Sequence, residues 1–360
     1  MADESVPELL ADGRLTVDLG ALVANWRAVA ARVGSETSAV LKANAYGIGV
    51  EPAGAALARA GCRTFFVAVA DEGIRLRRAA PEAAIYLLGG LVPGTLPALT
   101  KADLRPVLNS LPEVEEWAAA RSAGATLAAA LHVDTGMNRL GVTPAEAMAL
   151  AETRLPLALV MSHLVISEVA GHPLNRKQLE AFAAVRDAMP EVPASLANSG
   201  GVYLGPDYHF DLVRPGIALY GASPGPGVPV PMNVVATAEA RVLVVRDAKP
   251  GETVGYGATR TLTRPTRIAI LGVGYADGYH RITTGAHAFI RGQAAPLLGR
   301  VSMDLIAADV TDIPAARRDD WAELFGPNVP IDEVAARSGT VGYELLTGLG
   351  QRYARRYIGG

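Results

Sequence analysis

Between residues 14 and 220 the chain alternates short apolar runs with longer amphipathic ones, and that rhythm admits few folds. The short runs are Ser38–Ala43, Thr64–Val69, Ala84–Leu88, Leu104–Leu108, Ala128–Val133, Leu157–His163, Val192–Ala197 and Leu212–Ala218. The segments Leu22–Val33, Glu51–Ala60, Glu72–Ala79, Glu113–Ala123, Pro144–Glu152 and Leu174–Ala188 carry apolar residues at helical spacing. Strands joined through helical crossovers lie parallel, and eight parallel strands usually close into a barrel. The expected class is therefore α/β, an N-terminal (β/α)8 TIM barrel, although no eighth helix is visible after the last run.

The pattern changes at Ser223–Pro231, where proline and glycine are too dense for a helix or a central strand. This linker marks the expected boundary between a barrel domain over 1–231 and a second domain over 232–360. Beyond it, Ala236–Val245, Arg267–Val273, Ala288–Ile290 and Leu305–Val310 are alternating or β-branched runs broken by glycine, followed by a short helix at Ile331–Ala336. A mostly antiparallel β domain is expected there.

A net charge of -3 over 360 residues offers no basic footprint for a nucleic-acid backbone. No apolar run approaches the roughly 20 residues that cross a bilayer, so no membrane partner is expected. Met1–Arg14 reads as a short flexible lead; its acids Asp3, Glu4, Glu8 and Asp12 oppose the charge of a signal peptide and point to the cytoplasm. A single cysteine, Cys62, excludes an internal disulfide and a cysteine-built zinc site, and six scattered histidines form no metal-ligand pattern. Nucleotide-binding and zinc-protease motifs are missing too.

In a barrel of this kind the active site lies where strands end and loops begin. Lys42, His163, Asn198 and Ser199 fall at such ends, and Arg214 lies within the last run. A lysine closing an apolar run at a barrel mouth is desolvated, which favours the neutral amine able to form a Schiff base. The same lysine can equally lay its stem along the rim with its head in water. Spacing leaves both readings open.

The residues around Lys42, VLKANAYGIG over Val40–Gly49, resemble the cofactor-lysine motif of the alanine racemases, which use pyridoxal 5'-phosphate (PLP). The likeness continues in order through HVDTGMNRLG (His132–Gly141), MSH (Met161–His163), Asn198–Ser199, RPGI (Arg214–Ile217), GYGAT (Gly255–Thr259), VGYADG (Val273–Gly278), GRVSMD (Gly299–Asp304) and Tyr343–Glu344. It spans both expected domains.

This resemblance implies that Lys42 carries the cofactor, with His163 and Asn198 beside it, and that Tyr46, Ser199, Gly216, Ile217 and Tyr343 hold its phosphate. Arg214 would donate to the pyridine nitrogen without protonating it, which disfavours transamination relative to racemisation. Inverting a stereocentre calls for acid–base groups on opposite faces, and the resemblance supplies Lys42 and Tyr256. His163 and Arg214 would favour the Tyr256 phenolate by charge or hydrogen bonding. Tyr256, Tyr275 and Met303 lie beyond the linker and would reach the barrel of a second subunit in a homodimer. Met303 would offer its backbone N–H to the substrate carboxylate, which Arg139 also binds.

One position departs from the pattern. Many members place a carbamylated lysine seven residues before the arginine at 139, and this chain has His132. Another hydrogen bond of His132, a bound anion or Asn138 could support Arg139 instead. The implied function is interconversion of L- and D-alanine, with D-alanine supplied for peptidoglycan. The alternatives are racemisation of another small amino acid such as serine, or a non-catalytic PLP-binding protein. A decarboxylase of the same architecture is disfavoured by Arg214 and by the lone Cys62.

Overall fold

In a computed structural model the chain is described over residues 7–225 and 232–360. Seven strands, Ala39–Val40, Thr64–Val67, Ala84–Leu87, Arg105–Leu108, Ala130–His132, Leu159–Met161 and Ala194–Ser195, form a parallel sheet in chain order. Leu212–Val213 completes the barrel by pairing in parallel with Glu36–Thr37. Arg214 N–H donates to the Ala197 carbonyl at 2.9 Å and Val40 N–H to the Pro215 carbonyl at 3.0 Å, joining the last strand to the seventh and to the first. Strands such as Thr64–Val67 are buried at every residue, as a barrel wall covered by helices requires.

The strands are shorter than the apolar runs. Val40 ends the first, two residues before Lys42, and Leu212–Val213 gives way to a 3-10 turn at Ile217–Tyr220. The missing eighth helix precedes the barrel in sequence. Leu19–Arg32 packs against both Val50–Arg59 and Ile217–Tyr220, so a helix from the start of the chain covers the closing seam. A further short helix, Leu96–Ala102, escaped the periodicity analysis.

The second domain is an eight-stranded sheet in the order Thr266–Leu271, Ile306–Asp309, Gln293–Leu298, His287–Ile290, Trp321–Phe325, Ala236–Ala248, Gly13–Asp18, Ala354–Ile358. Ala236–Ala248 pairs also with Thr266–Leu271, so the sheet curls back on itself. All its pairings are antiparallel except that of Gly13–Asp18 with Ala354–Ile358.

Gly13–Asp18 corrects the expected N-terminal lead. Leu15 and Val17 are fully buried on one face of this strand, so Gly13 and Arg14 begin a core element of the second sheet rather than a flexible tail. The linker expected at 223–231 lies mostly outside the described residues. One buried cluster extends from Leu15 through the barrel residues Phe65 and Leu131 to Leu324 in the second sheet, so the two domains share a core. Among the described residues no helix is long and apolar enough to cross a membrane.

Candidate active site

After the first strand the backbone enters a turn of the wrong hand for L-residues. Ala43, Asn44, Ala45 and Tyr46 have φ of 53°, 55°, 54° and 51°, and Gly47 follows at 84°. Ala45 N–H donates to the Leu41 carbonyl and Gly47 N–H to the Ala43 carbonyl, both at 2.8 Å, closing one left-handed helical turn. Each non-glycine residue so placed costs roughly 1–2 kcal/mol. The conformation puts Lys42 and Tyr46, four residues apart, on one cavity.

That cavity, about 350 Å³, opens at the C-terminal ends of the barrel strands and is lined by Lys42, Tyr46, His163, Asn198, Ser199, Arg214, Gly216, Ile217 and Tyr343. His132 and Arg139 line it as well. Burial, and next the charge of Arg139, draw the Lys42 ammonium below the usual lysine range, against the opposing pull of Glu72. The lysine is therefore prepared to lose its proton.

At one end stand two tyrosines and a serine. Tyr46 stacks on Tyr220 with ring centroids 4.4 Å apart and lies 6.1 Å from the Tyr343 ring. Burial raises the Tyr46 phenol and pushes that of Tyr343 up to about 12, so both remain hydrogen-bond donors at neutral pH. Ser199 Oγ accepts from Gly216 N–H at 2.8 Å and Ala218 N–H at 3.4 Å. A Cβ at Gly216 would collide with the Tyr46 hydroxyl, so glycine keeps this cradle open. Hydroxyls and backbone N–H groups converging without a lysine suit a phosphate dianion.

Arg214, also lining the cavity, is buried with no carboxylate beside it among the described residues. It donates to Ser195 Oγ and to the carbonyls of Ser162 and Leu196, and Phe66 lies beneath its guanidinium at 5.9 Å. These partners are neutral acceptors, not the acid of a structural salt bridge. Burial pushes the guanidinium down to about 9, still cationic at neutral pH. A buried donor without a counter-carboxylate fits a neutral heteroaromatic nitrogen, which accepts a hydrogen bond and is not protonated by it.

Opposite, Asn109 orients His132. Its Nδ2 donates to the carbonyls of Leu88 at 3.2 Å and Val107 at 2.9 Å, which leaves Oδ1 as the acceptor facing His132 Nδ1 at 2.9 Å. Burial and the charges of Arg214 and Arg139 push His132 down to about 4, so the ring is neutral. Nδ1 must then carry the proton, and Nε2 is left as an acceptor.

Taken together, these groups fit PLP: an amine of lowered pKa, a phosphate cradle, and a donor for a ring nitrogen. The family model for the alanine racemase N-terminal domain matches residues 17–224, and that for the C-terminal domain matches residues 235–357. The chain belongs to the alanine racemase family.

It is 52% identical to an alanine racemase of a Methylobacterium strain, over 96% of this chain and 97% of that one. Two alanine racemases of Agrobacterium fabrum also align. The biosynthetic one is 48% identical over 96% of this chain and 93% of its own, and the catabolic one 42% over 97% and 92%. Among solved structures, the Bartonella henselae alanine racemase with covalently bound pyridoxal phosphate superposes with a TM-score of 0.91 at 40% identity, covering 97% of this chain and all of the other.

Within this racemase-family chain, three expected site residues lie away from their own barrel cavity. Tyr256 is 69% exposed and Met303 53%, and Tyr275 is also exposed, all on the second domain. Tyr275 N–H donates to the Ser302 carbonyl and Ala276 N–H to the Met303 carbonyl, placing Tyr275 and Met303 side by side. Burial, followed by the charges of Arg214, Arg139 and Lys42, draws the His163 imidazole well below the usual histidine range, which disfavours the cationic form considered for it. A hydrogen bond is the remaining way for it to act on a phenol.

Asn198 serves its own loop through Oδ1, which accepts from Ser167 Oγ and Gly201 N–H. Arg139 sits on a loop organised by Asp134, whose carboxylate accepts from the N–H groups of Gly136, Met137 and Arg139. Neither Asn109 nor Glu72 stands out in the sequence as a site residue. Asn109 directly follows the run Leu104–Leu108, so the strand-end argument that singled out Lys42 applied to it equally.

Proposed function

We propose that this chain is a PLP-dependent alanine racemase working with two bases, Lys42 and Tyr256, and supplying D-alanine for peptidoglycan in the cytoplasm. The observation that carries the site assignment is the convergence on one barrel-mouth cavity of Lys42, the Ser199–Gly216 cradle and the carboxylate-free Arg214. Greater identity to the biosynthetic than to the catabolic Agrobacterium enzyme supports the biosynthetic role.

PLP, bound through Lys42, supplies an electron sink that lowers the cost of removing the α-proton of an amino acid. Ser199, Gly216, Ile217, Tyr46 and Tyr343 would anchor its phosphate, with His163 and Asn198 lining the same space. Arg214 would donate to the ring nitrogen while leaving it unprotonated. Arg139 would bind the alanine carboxylate, assisted by the backbone N–H of Met303. Lys42 would be suited to move a proton at the α-carbon on one face, because burial lowers its pKa and favours the neutral amine.

The opposite face needs a second acid–base group, and the exposed Tyr256 is the candidate. Its exposure, together with that of Tyr275 and Met303, suits a homodimer in which these residues complete the partner's cavity. Racemisation of L-alanine in heavy water, followed by NMR at the α-carbon, tests the two-base reading. Tyr256→Phe should retain the cofactor's visible absorption and lose roughly 100-fold or more in rate. Parent rates in both directions would remove Tyr256 from the mechanism.

A further inference from the structure

We propose that Glu72 is a positioning residue for the cofactor lysine: its buried carboxylate ties the left-handed turn Ala43–Tyr46 to the end of the second barrel strand, keeping Lys42 and Tyr46 on one cavity. The inference rests on reading Lys42 as the cofactor lysine. Four successive L-residues in the left-handed region do not persist on local preference, and such strain is held where the surroundings over-determine it.

The bonds that hold this turn from outside are unequal. Arg355 donates to the Gly47 carbonyl at 2.6 Å and Tyr357 Oη to the Ile48 carbonyl at 2.8 Å, both past the strained run. Asn44 Oδ1 accepts from Val50 N–H at 3.0 Å and Arg75 Nη2 at 3.1 Å, through the side chain. Glu72 reaches the strained backbone itself, with Oε1 accepting from Asn44 N–H at 3.0 Å. Its Oε2 accepts from Ala68 N–H at 2.9 Å and Val69 N–H at 3.3 Å, and Ala68 lines the cavity.

One side chain thus links the lysine turn to the end of the neighbouring barrel strand. Three N–H groups converge on two oxygens, a demand that a carboxylate meets and an amide does not, because the NH2 of glutamine would face a donor at one end. Glu72 also stands in the first turn of Ala70–Ala79, and a cap of that helix is the plainer reading.

The test compares holoenzymes carrying Glu72→Gln, Glu72→Gln with Ala43→Gly, and Glu323→Gln. Glu323 is a buried carboxylate of the second domain that accepts from Asn328 N–H at 2.7 Å and Val329 N–H at 2.9 Å, a matched control remote from the cavity. The readouts are the visible band of lysine-bound PLP, the fraction of Lys42 labelled after borohydride reduction, kcat, KM and Tm.

Glu72→Gln should lower the labelled fraction and reduce kcat roughly 10- to 100-fold with KM within about threefold, as a misplaced reacting group does. Glycine accepts positive φ without strain, so Ala43→Gly should restore part of both losses. Glu323→Gln should lower Tm while leaving label and kcat at parent values. Parent labelling and kcat in Glu72→Gln, or losses that Ala43→Gly does not relieve, overturn the proposal in favour of a helix cap. If Glu72→Gln does not fold, Glu72→Asp keeps the charge but withdraws the carboxylate from Asn44. It should show the same pattern in weaker form, and parent behaviour there overturns the proposal too. Lys42→Ala abolishes the label if Lys42 is the attachment point; a label that persists elsewhere removes that assignment without bearing on Glu72.

Discussion

At the scale of single residues, His132 stands seven residues before Arg139, where the family resemblance implied a carbamylated lysine. Neutral His132, with its proton on Nδ1, offers an acceptor at the wall that Arg139 also lines. If that acceptor helps to aim Arg139, His132→Phe should raise KM for alanine about tenfold, the loss of one charge-assisted hydrogen bond, with a smaller change in kcat. Steady-state kinetics decide this, and an unchanged KM would leave Arg139 oriented by other groups.

The same residue carries a stability signature. Its folded-state pKa lies below the unfolded value, so below about pH 6.5 the unfolded chain takes up a proton that the folded protein refuses until about pH 4. Its contribution is complete above the unfolded pKa and is lost as pH falls through that window. Urea unfolding at pH 7 and pH 5 should show a smaller acid loss in His132→Phe than in the parent.

At the scale of elements, periodicity finds the longer helices, passes over the short Leu96–Ala102, and extends the strands too far. Leu41, Ile217 and Ala218 are apolar and buried, yet they lie in turns, and periodicity does not separate a buried turn from a buried strand. The same turns build the site. Gly216 is where the closing segment passes the Tyr46 hydroxyl, so Gly216→Ala should weaken PLP binding by at least about tenfold while the barrel stays folded. Equilibrium titration with PLP, alongside far-UV circular dichroism, checks this. Parent affinity would mean that Tyr46 can step aside at no cost to the cradle.

At the scale of the whole molecule, the two chain ends meet in the second sheet, where Gly13–Asp18 pairs with Ala354–Ile358. From that final strand Arg355 and Tyr357 reach back to Gly47 and Ile48, coupling the second sheet to the lysine turn. If Tyr256 serves the partner's cavity, a dimer of Lys42→Ala and Tyr256→Phe subunits gathers both defects in one site and leaves the other whole. Mixing the two inactive variants should recover about a quarter of parent activity, from half the dimers being hybrids with one intact site each, a statistical consequence of a twofold interface. No recovery in hybrids verified by mass spectrometry would place each Tyr256 with its own barrel.

The sequence by itself determined the alternation of strands and helices, the second β domain, the family, and several of the residues that line the barrel-mouth cavity, because periodicity and ordered motifs are local properties of the chain. Tertiary structure alone decided the rest. Burial drew Lys42, His132 and His163 below their ordinary pKa ranges, and pairing across more than 200 residues drew the N-terminal strand into the far domain, as in Gly13 with Ala240. The left-handed turn at Lys42 belongs with these. Ala43, Ala45 and Tyr46 do not prefer that hand and Asn44 merely tolerates it; partners distant in sequence, Glu72 at the Asn44 N–H and the C-terminal strand at the Gly47 and Ile48 carbonyls just beyond, meet the backbone there.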